Sequence, residues 1–227
     1  MRVKPMRILA VDTATESCSA ACLVEDKLHQ CRVLNPRGHS RLLLGMIEEV
    51  LSKADVLRDD LDAIVYDAGP GSFTGIRIGA GVAQGLALAL QKPLLTVSSL
   101  MTLAEALAGE LRPKDRILAA IDARMEQVYW GCLERDEAAL GGWRWHQSPR
   151  VSDPDTVSAF TAGCVGVGSG WDRYAAVFQK DDEIVWRAGA FPDAASGARI
   201  ARCLLDQGAS GEWRDATPAY IRNDVTG

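Results

Sequence analysis

One stretch of eleven residues restricts what this chain can become more than any other: Gly69-Pro70-Gly71-Ser72-Phe73-Thr74-Gly75-Ile76-Arg77-Ile78-Gly79. Asp62 to Asp67 before it reads as a short buried strand. Residues 76–90 after it carry no proline and no charge beyond Arg77, and read as a helix. A strand, a glycine-rich turn and a helix in succession present backbone N–H groups to an anion. On that reading Gly69, Gly71, Ser72 and Thr74, together with Asp12, are candidate nucleotide or anion contacts. Ser72 or Thr74 is the candidate helix cap.

A second reading starts from the same glycines. Gly75, Gly79 and Ala83 recur at every fourth residue, as do Gly81, Gly85 and Ala89. Each glycine inside a helix costs about 0.8–1 kcal/mol relative to alanine. Several on one helix imply that another backbone comes very close, so the helix is built for tight docking. Spacing alone leaves both readings open. It does weaken two familiar phosphate loops. A Walker A loop needs a lysine and then Ser or Thr after its last glycine, whereas Arg77 follows Gly75 by two residues. The dinucleotide fingerprint needs G-x-G-x-x-G and an acid near the end of the next strand. Here the spacing is one residue longer, and Leu94 to Val97 runs into Ser98-Ser99.

The chain has 227 residues, enough for one large domain or two lobes, and 48% of them are hydrophobic, ample for a core. A net charge of −5 argues against broad nucleic-acid binding by this chain alone, although a partner could supply a basic surface. The six cysteines, at 18, 22, 31, 132, 164 and 203, form no C-x-x-C pair. Cys18 and Cys22 are expected on one strand face. With histidines only at 29, 39 and 146, neither a metal nor another cofactor is expected. No signal peptide and no uncharged apolar run of about 18 residues is present, so the expectation is a cytoplasmic protein with reduced thiols and no membrane contact. Met1 to Pro5 reads as a flexible extension or a vector remnant.

Taken in order, residues 7–12, 17–24 and 28–34 read as three strands joined by turns. Asn35 to Gly38 breaks the pattern, and Ser40 is the expected cap of a helix. On that helix Leu42, Leu43, Met46, Ile47, Val50, Leu51 and Ala54 fall at helical spacing, with Leu44 broadening the apolar face. Core packing explains such a face; so does contact with another protein. Strand 62–67, helix 76–90, strand 93–97 and a helix at 100–108, capped by Ser98 or Ser99, complete the first half. Arg112 to Asp115 reads as a surface linker dividing lobes 6–111 and 112–227. Ile117 to Asp122 then echoes Ile8 to Asp12, followed by strands at 127–133 and 143–145. That is a weak internal repeat of a three-strand unit. A short helix at 151–162, a strand at 164–168, a helix near 171–179, a strand at 183–186, a helix at 194–206 and an exposed tail at 218–225 follow. The whole reads as α/β, a mixed sheet flanked by helices in each lobe.

Chemistry is sparse. Asp12 and Asp122 each end a first strand, where a carboxylate can hold Mg²⁺ beside phosphate. They define an alternative function, an ATP-dependent kinase or hydrolase. Neither following turn has the glycine such a hairpin wants, and Arg124 beside Asp122 reads equally as an ion pair. A hydrolase joining Ser72 to His39 has no local support. Tyr129, Trp130, Trp143 and Trp145 read as packing rather than as a stacking platform. No catalytic residue is assigned.

Three blocks resemble the TsaB (YeaZ) family of tRNA threonylcarbamoyladenosine biosynthesis proteins: Ile8 to Ser17, Gly69 to Gly79 with its Gly/Ala helix, and Ile121 to Trp130. Tyr220 to Val225 fits as well, so the resemblance covers the chain from Met6 onward, though 134–215 contributes little. It implies a two-lobed actin/hexokinase-like (ASKHA) fold. It implies a non-catalytic part in forming N6-threonylcarbamoyladenosine beside the anticodon of tRNAs reading A-starting codons. The implied partners are a TsaD-like transferase subunit and a TsaE-like ATPase, with tRNA reached through the complex and a homodimer in isolation. TsaD-like chains carry an H-x-x-x-H metal pair where this chain has Ser99 and Leu103. Helices 40–54 and 76–90 are the implied contact surface, through Leu42, Leu43, Met46, Ile47, Ile76, Gly79, Ala83 and Leu86.

Overall fold

The structure is a computed structural model that describes residues 5–35, 37–110, 115–179 and 184–221. Five expectations lie wholly or partly outside those residues: the extension before Pro5, Pro36 in the break, 112–114 of the linker, residue 183 of the strand expected at 183–186, and 222–225 of the tail.

The first half builds β1 (Arg7–Asp12), β2 (Ser17–Val24), β3 (Lys27–Leu34), α1 (His39–Ala54), β4 (Ala63–Asp67), α2 (Phe73–Leu90), β5 (Leu94–Val97) and α3 (Ser99–Ala106). Its sheet runs β3-β2-β1-β4-β5, with β1 antiparallel to β2 and parallel to β4, and β4 parallel to β5. The second half adds β6 (Arg116–Asp122), β7 (Val128–Arg135), β8 (Trp143–Ser152), α4 (Pro154–Val157), β9 (Cys164–Val167), α5 (Ser169–Phe178), β10 (Trp186–Arg187) and α6 (Ala194–Asp206). Its sheet runs β8-β7-β6-β9-β10, the same order of first, second and third strands around a central β6. The repeat suggested by Ile8–Asp12 and Ile117–Asp122 is therefore a duplicated topology, that of the two-lobed actin/hexokinase-like fold.

The strand sequences follow from burial on both faces. Along β1, Ile8 and Ala10 point to one core, Leu9 and Val11 to the other. Both faces being covered, the strand is apolar throughout instead of alternating. α1 and α2 cover the outer face of the first sheet, and α5 covers the outer face of the second. α3 and α6 lie between the sheets, so Ala198 and Ile200 share one core with Val65 of the first sheet and Ile121 of the second. α6 comes late in the chain but packs on β1 and β2 as well as on α3. Its small residues, Ala194, Ala195, Gly197, Ala198 and Ala201, permit the approach.

Several boundaries differ from expectation. α2 begins at Phe73, three residues early, because Ser72 caps it and accepts the Gly75 N–H at 3.2 Å. Thr74 lies inside the helix. Gly38, not Ser40, precedes α1, and no side chain caps it. The helix expected at 151–162 starts only at Pro154, because β8 pairs with β7 as far as Ser152, and it is one α turn, Pro154–Val157, continued by a 3-10 turn, Ser158–Phe160. The last strand is the two-residue Trp186–Arg187, held parallel to β9. Cys18 and Cys22 do share a face, under α1, and all six cysteines are free thiols.

Candidate functional site

The glycine-rich stretch is assembled by its neighbours. Gly69 takes a φ of 105°, a conformation glycine alone adopts readily. Its N–H donates to Asp67 Oδ1 at 2.8 Å, and Ser99 Oγ donates to the same oxygen at 2.5 Å. The turn between β1 and β2 presses directly on the loop. Ser72 N–H donates to Ala14 O at 2.6 Å, and Thr13 Oγ1 donates to Gly75 O at 2.7 Å. A β-carbon on Gly71 would sit 2.1 Å from Ala14 O, and one on Gly75 2.1 Å from Thr13 O. Gly79 would meet Thr13 Oγ1 at 2.7 Å. These glycines make room for a neighbouring backbone. The amides of Gly69, Ser72, Gly75 and Ile76 already have acceptors within the chain. Of the two readings of the loop, the structure realises close packing.

Between the lobes lies an open cleft of about 410 Å³. Ser72 and Thr74 reach its wall, as do Thr15 and Glu16 of the β1–β2 turn and Asp122 and Arg124 of the β6–β7 turn. Asp122 lines it but is held by two guanidiniums, Arg173 at 2.8 Å and Arg124 at 3.6 Å. Arg124 also spans the cleft to Glu16 at 2.9 Å. Asp12 does not line the cleft. It is buried beside Asp67 at the ends of neighbouring parallel strands, and its Oδ1 accepts the Ala14 N–H. Burial, then the Asp67 charge, raises its pKa well above the ordinary carboxylate value. A buried acid whose ionisation is disfavoured and a carboxylate clamped by two arginines are a poor pair for Mg²⁺. Ser72 and His39 are not hydrogen-bonded: Ser72 serves Gly75, and His39 is buried, which lowers its basicity through desolvation although Glu16 opposes the shift. Trp130 and Trp143 are core residues, while Tyr129 and Trp145 are half-buried. Among the described residues, no three His, Cys, Asp or Glu side chains come together as a metal-ligand set.

Two curated relatives bear the description tRNA threonylcarbamoyladenosine biosynthesis protein TsaB. That of Escherichia coli is 38% identical over 226 residues, 97% of this chain and 96% of its own length. That of Haemophilus influenzae is 33% identical, covering 97% and 95%. The chain belongs to the TsaB family. Two solved structures from Pseudomonas aeruginosa agree. One is described as an uncharacterized protein with similarity to peptidase YEAZ (38% identity, TM-score 0.86, 96% of this chain and 100% of that one), the other as YeaZ (37%, 0.85, 95% and 100%). Residues 34–141 also match the family described as TsaD, tRNA N6-adenosine threonylcarbamoyltransferase. In this TsaB-family chain the two positions expected to correspond to metal ligands of TsaD-like chains are packed. Ser99 is buried on Asp67, and Leu103 is fully buried in the shared core.

The helix residues expected at a partner surface are mostly turned inward. Leu43, Met46, Ile47, Ile76, Gly79 and Ala83 are buried within the chain, and Leu42 and Leu86 are half-buried. This corrects the choice of face. α1 presents Arg41, Leu44, Gly45 and Glu48 to solvent; α2 presents Arg77, Gly81, Gly85 and Leu88. Leu44 and Leu88 are each more than half exposed, and a β-carbon on Gly45, Gly81 or Gly85 would meet nothing within 4 Å. Of the two small-residue series on α2, one is consumed by Thr13 and the other lies open. The second series was visible in the sequence, but α2 is apolar all round and polarity did not single out a face.

Proposed function

We propose that this chain is a non-catalytic subunit in the formation of N6-threonylcarbamoyladenosine beside the anticodon of tRNAs reading A-starting codons. The outer face of α1 and α2 docks a TsaD-like transferase subunit and orients its lobes. A TsaE-like ATPase joins the complex, tRNA is engaged through the assembly, and the same face pairs two copies when the chain is alone. One observation supports this above the rest. Leu44, Gly45, Gly81, Gly85 and Leu88 form an apolar face with room for a second backbone and no partner among the described residues. Such glycines cost helix stability without serving the chain's own core. The alternative, an ATP-dependent kinase or hydrolase using Asp12 and Asp122, is disfavoured by the burial of one carboxylate and the arginine clamp on the other.

The test is reconstitution with the TsaD-like subunit. Gly85→Glu is expected to abolish co-purification and tRNA modification while leaving thermal unfolding within a few degrees of the parent. Full modification with Gly85→Glu would refute the docking face. ATP turnover by the isolated chain, lost in Asp122→Asn, would restore the alternative.

A further inference from the structure

The open stripe of α2 does not stop at its glycines. Arg77 and Phe73 continue it one and two turns toward the helix N-terminus, and both are exposed. The Arg77 guanidinium lies 3.3 Å from the centre of the Phe73 ring and 5.4 Å from that of Tyr220. The two rings are themselves 6.0 Å apart. No described carboxylate forms an ion pair with Arg77. A guanidinium seated on aromatic faces keeps its donors in a fixed plane, the form in which arginine receives a carboxylate.

Beside this cluster is an apolar cavity of about 320 Å³. Phe73 and Tyr220 form part of its wall, with Pro70, Ile76, Tyr129 and Ile221. The tail that roofs it is fixed in place. Tyr66 Oη and Gln84 Nε2 each donate to Ala216 O at 2.9 Å, and Ala219 N–H donates to Ala68 O at 2.8 Å. These bonds hold residues 216–219 against the first lobe, and the cavity shares Phe73 and Tyr220 with the cation.

We infer that Phe73, Arg77 and Tyr220, with this cavity, receive an acidic segment of the TsaD-like partner: a carboxylate on Arg77 and an adjacent bulky apolar side chain in the cavity. The inference rests on the docking face proposed above and extends it to the C-terminal tail. Protein is favoured over nucleic acid by the company Arg77 keeps. It is the only charge on α2, and its exposed neighbours along the stripe are Gly81, Gly85 and Leu88. A phosphate-binding surface gathers several cations. A single oriented arginine among aromatic and small residues has the composition of an interface anchor.

Calorimetry with the purified TsaD-like subunit tests it, using the full chain and the variants Arg77→Gln, Tyr220→Ala and Gly85→Glu, each first shown to unfold at the parent's temperature. Arg77→Gln is expected to weaken binding about 10- to 100-fold and to flatten its salt dependence, as loss of a charge-assisted contact does. Tyr220→Ala should weaken binding about tenfold or more. If both stay within about twofold of the parent while Gly85→Glu abolishes binding, the receptor fails and the docking face stands. If Gly85→Glu binds like the parent, both fall. Arg77→Gln that leaves this complex intact but lowers affinity for tRNA would assign the cation to phosphate and overturn the inference. So would tighter binding after removal of residues 222–227, which would make the chain's own end the occupant.

Discussion

Asp67 ties three segments together with one carboxylate. It holds the glycine turn through Gly69, the start of α3 through Ser99, and Thr102 one turn further at 3.4 Å. Beside it Asp12 Oδ2 has no hydrogen-bond partner among the described residues, and burial followed by the Asp67 charge pushes the Asp12 carboxyl up. Burial pushes Asp67 up to about 6 despite the hydrogen bonds from Ser99, Gly69 and Thr102 that favour its anion. A raised carboxyl pKa means the folded state holds a proton the unfolded chain has released. The stability that proton confers is complete below about pH 4 and disappears as pH rises through about 6. We therefore expect urea unfolding to show stability falling by on the order of 1 kcal/mol per pH unit between about pH 4 and 6, with the slope from Asp67 flattening above that. Asp67→Asn keeps an acceptor for Gly69 and supplies a donor to Asp12. It should flatten that slope and raise stability at pH 7.5; an unchanged slope would exclude the pair as its source. Each strand visibly ends in an acid in the sequence, but their adjacency does not follow from either alone. It follows from the parallel pairing of β1 with β4.

α2 is an element with two glycine faces and two explanations. On the inner face a Gly75→Ala methyl would strike Thr13 O, a backbone atom that cannot step aside. On the outer face Gly85→Ala enters open space. Denaturation should separate them by sign. Gly75→Ala is expected to destabilise by about 1–3 kcal/mol, in the range of overpacked sites. Gly85→Ala is expected to stabilise the free chain by about 0.5–1 kcal/mol through helix propensity. Equal destabilisation by both would mean that the outer face is packed in solution, as a homodimer would pack it. The helix itself was legible, since an unbroken Gly/Ala/Leu run has few other options. Its first turn was not, because Phe73 to Gly75 become helical only when Ser72 caps them. The 18-residue helix has the length and composition of a membrane span, yet Ala80, Ala83 and Ala87 are spent on the first sheet.

At the scale of the molecule, α3 and α6 join two sheets that the chain order separates. Because Ile200 shares its core with residues of both sheets, the lobes should not unfold independently. Ile200→Ala is expected to cost about 2–4 kcal/mol. It should move fluorescence of Trp130 and Trp171 in the second lobe and far-ultraviolet dichroism of the whole chain to one common midpoint. Separate midpoints would show two independently folding lobes. The surface ion pair between Glu16 and Arg124 adds little to this union, since pairs so exposed contribute about 0–1 kcal/mol.

Strand and helix identity and the duplicated three-strand opening could be read from residue order. Each depends on local periodicity or composition, which survives without a third dimension. The face α2 turns outward, the shelter α6 finds under the first sheet and the meeting of Asp12 with Asp67 could not. Those depend on which distant backbone arrives first at an apolar surface, and Thr13 arriving at Gly75 is a contact between residues 62 positions apart.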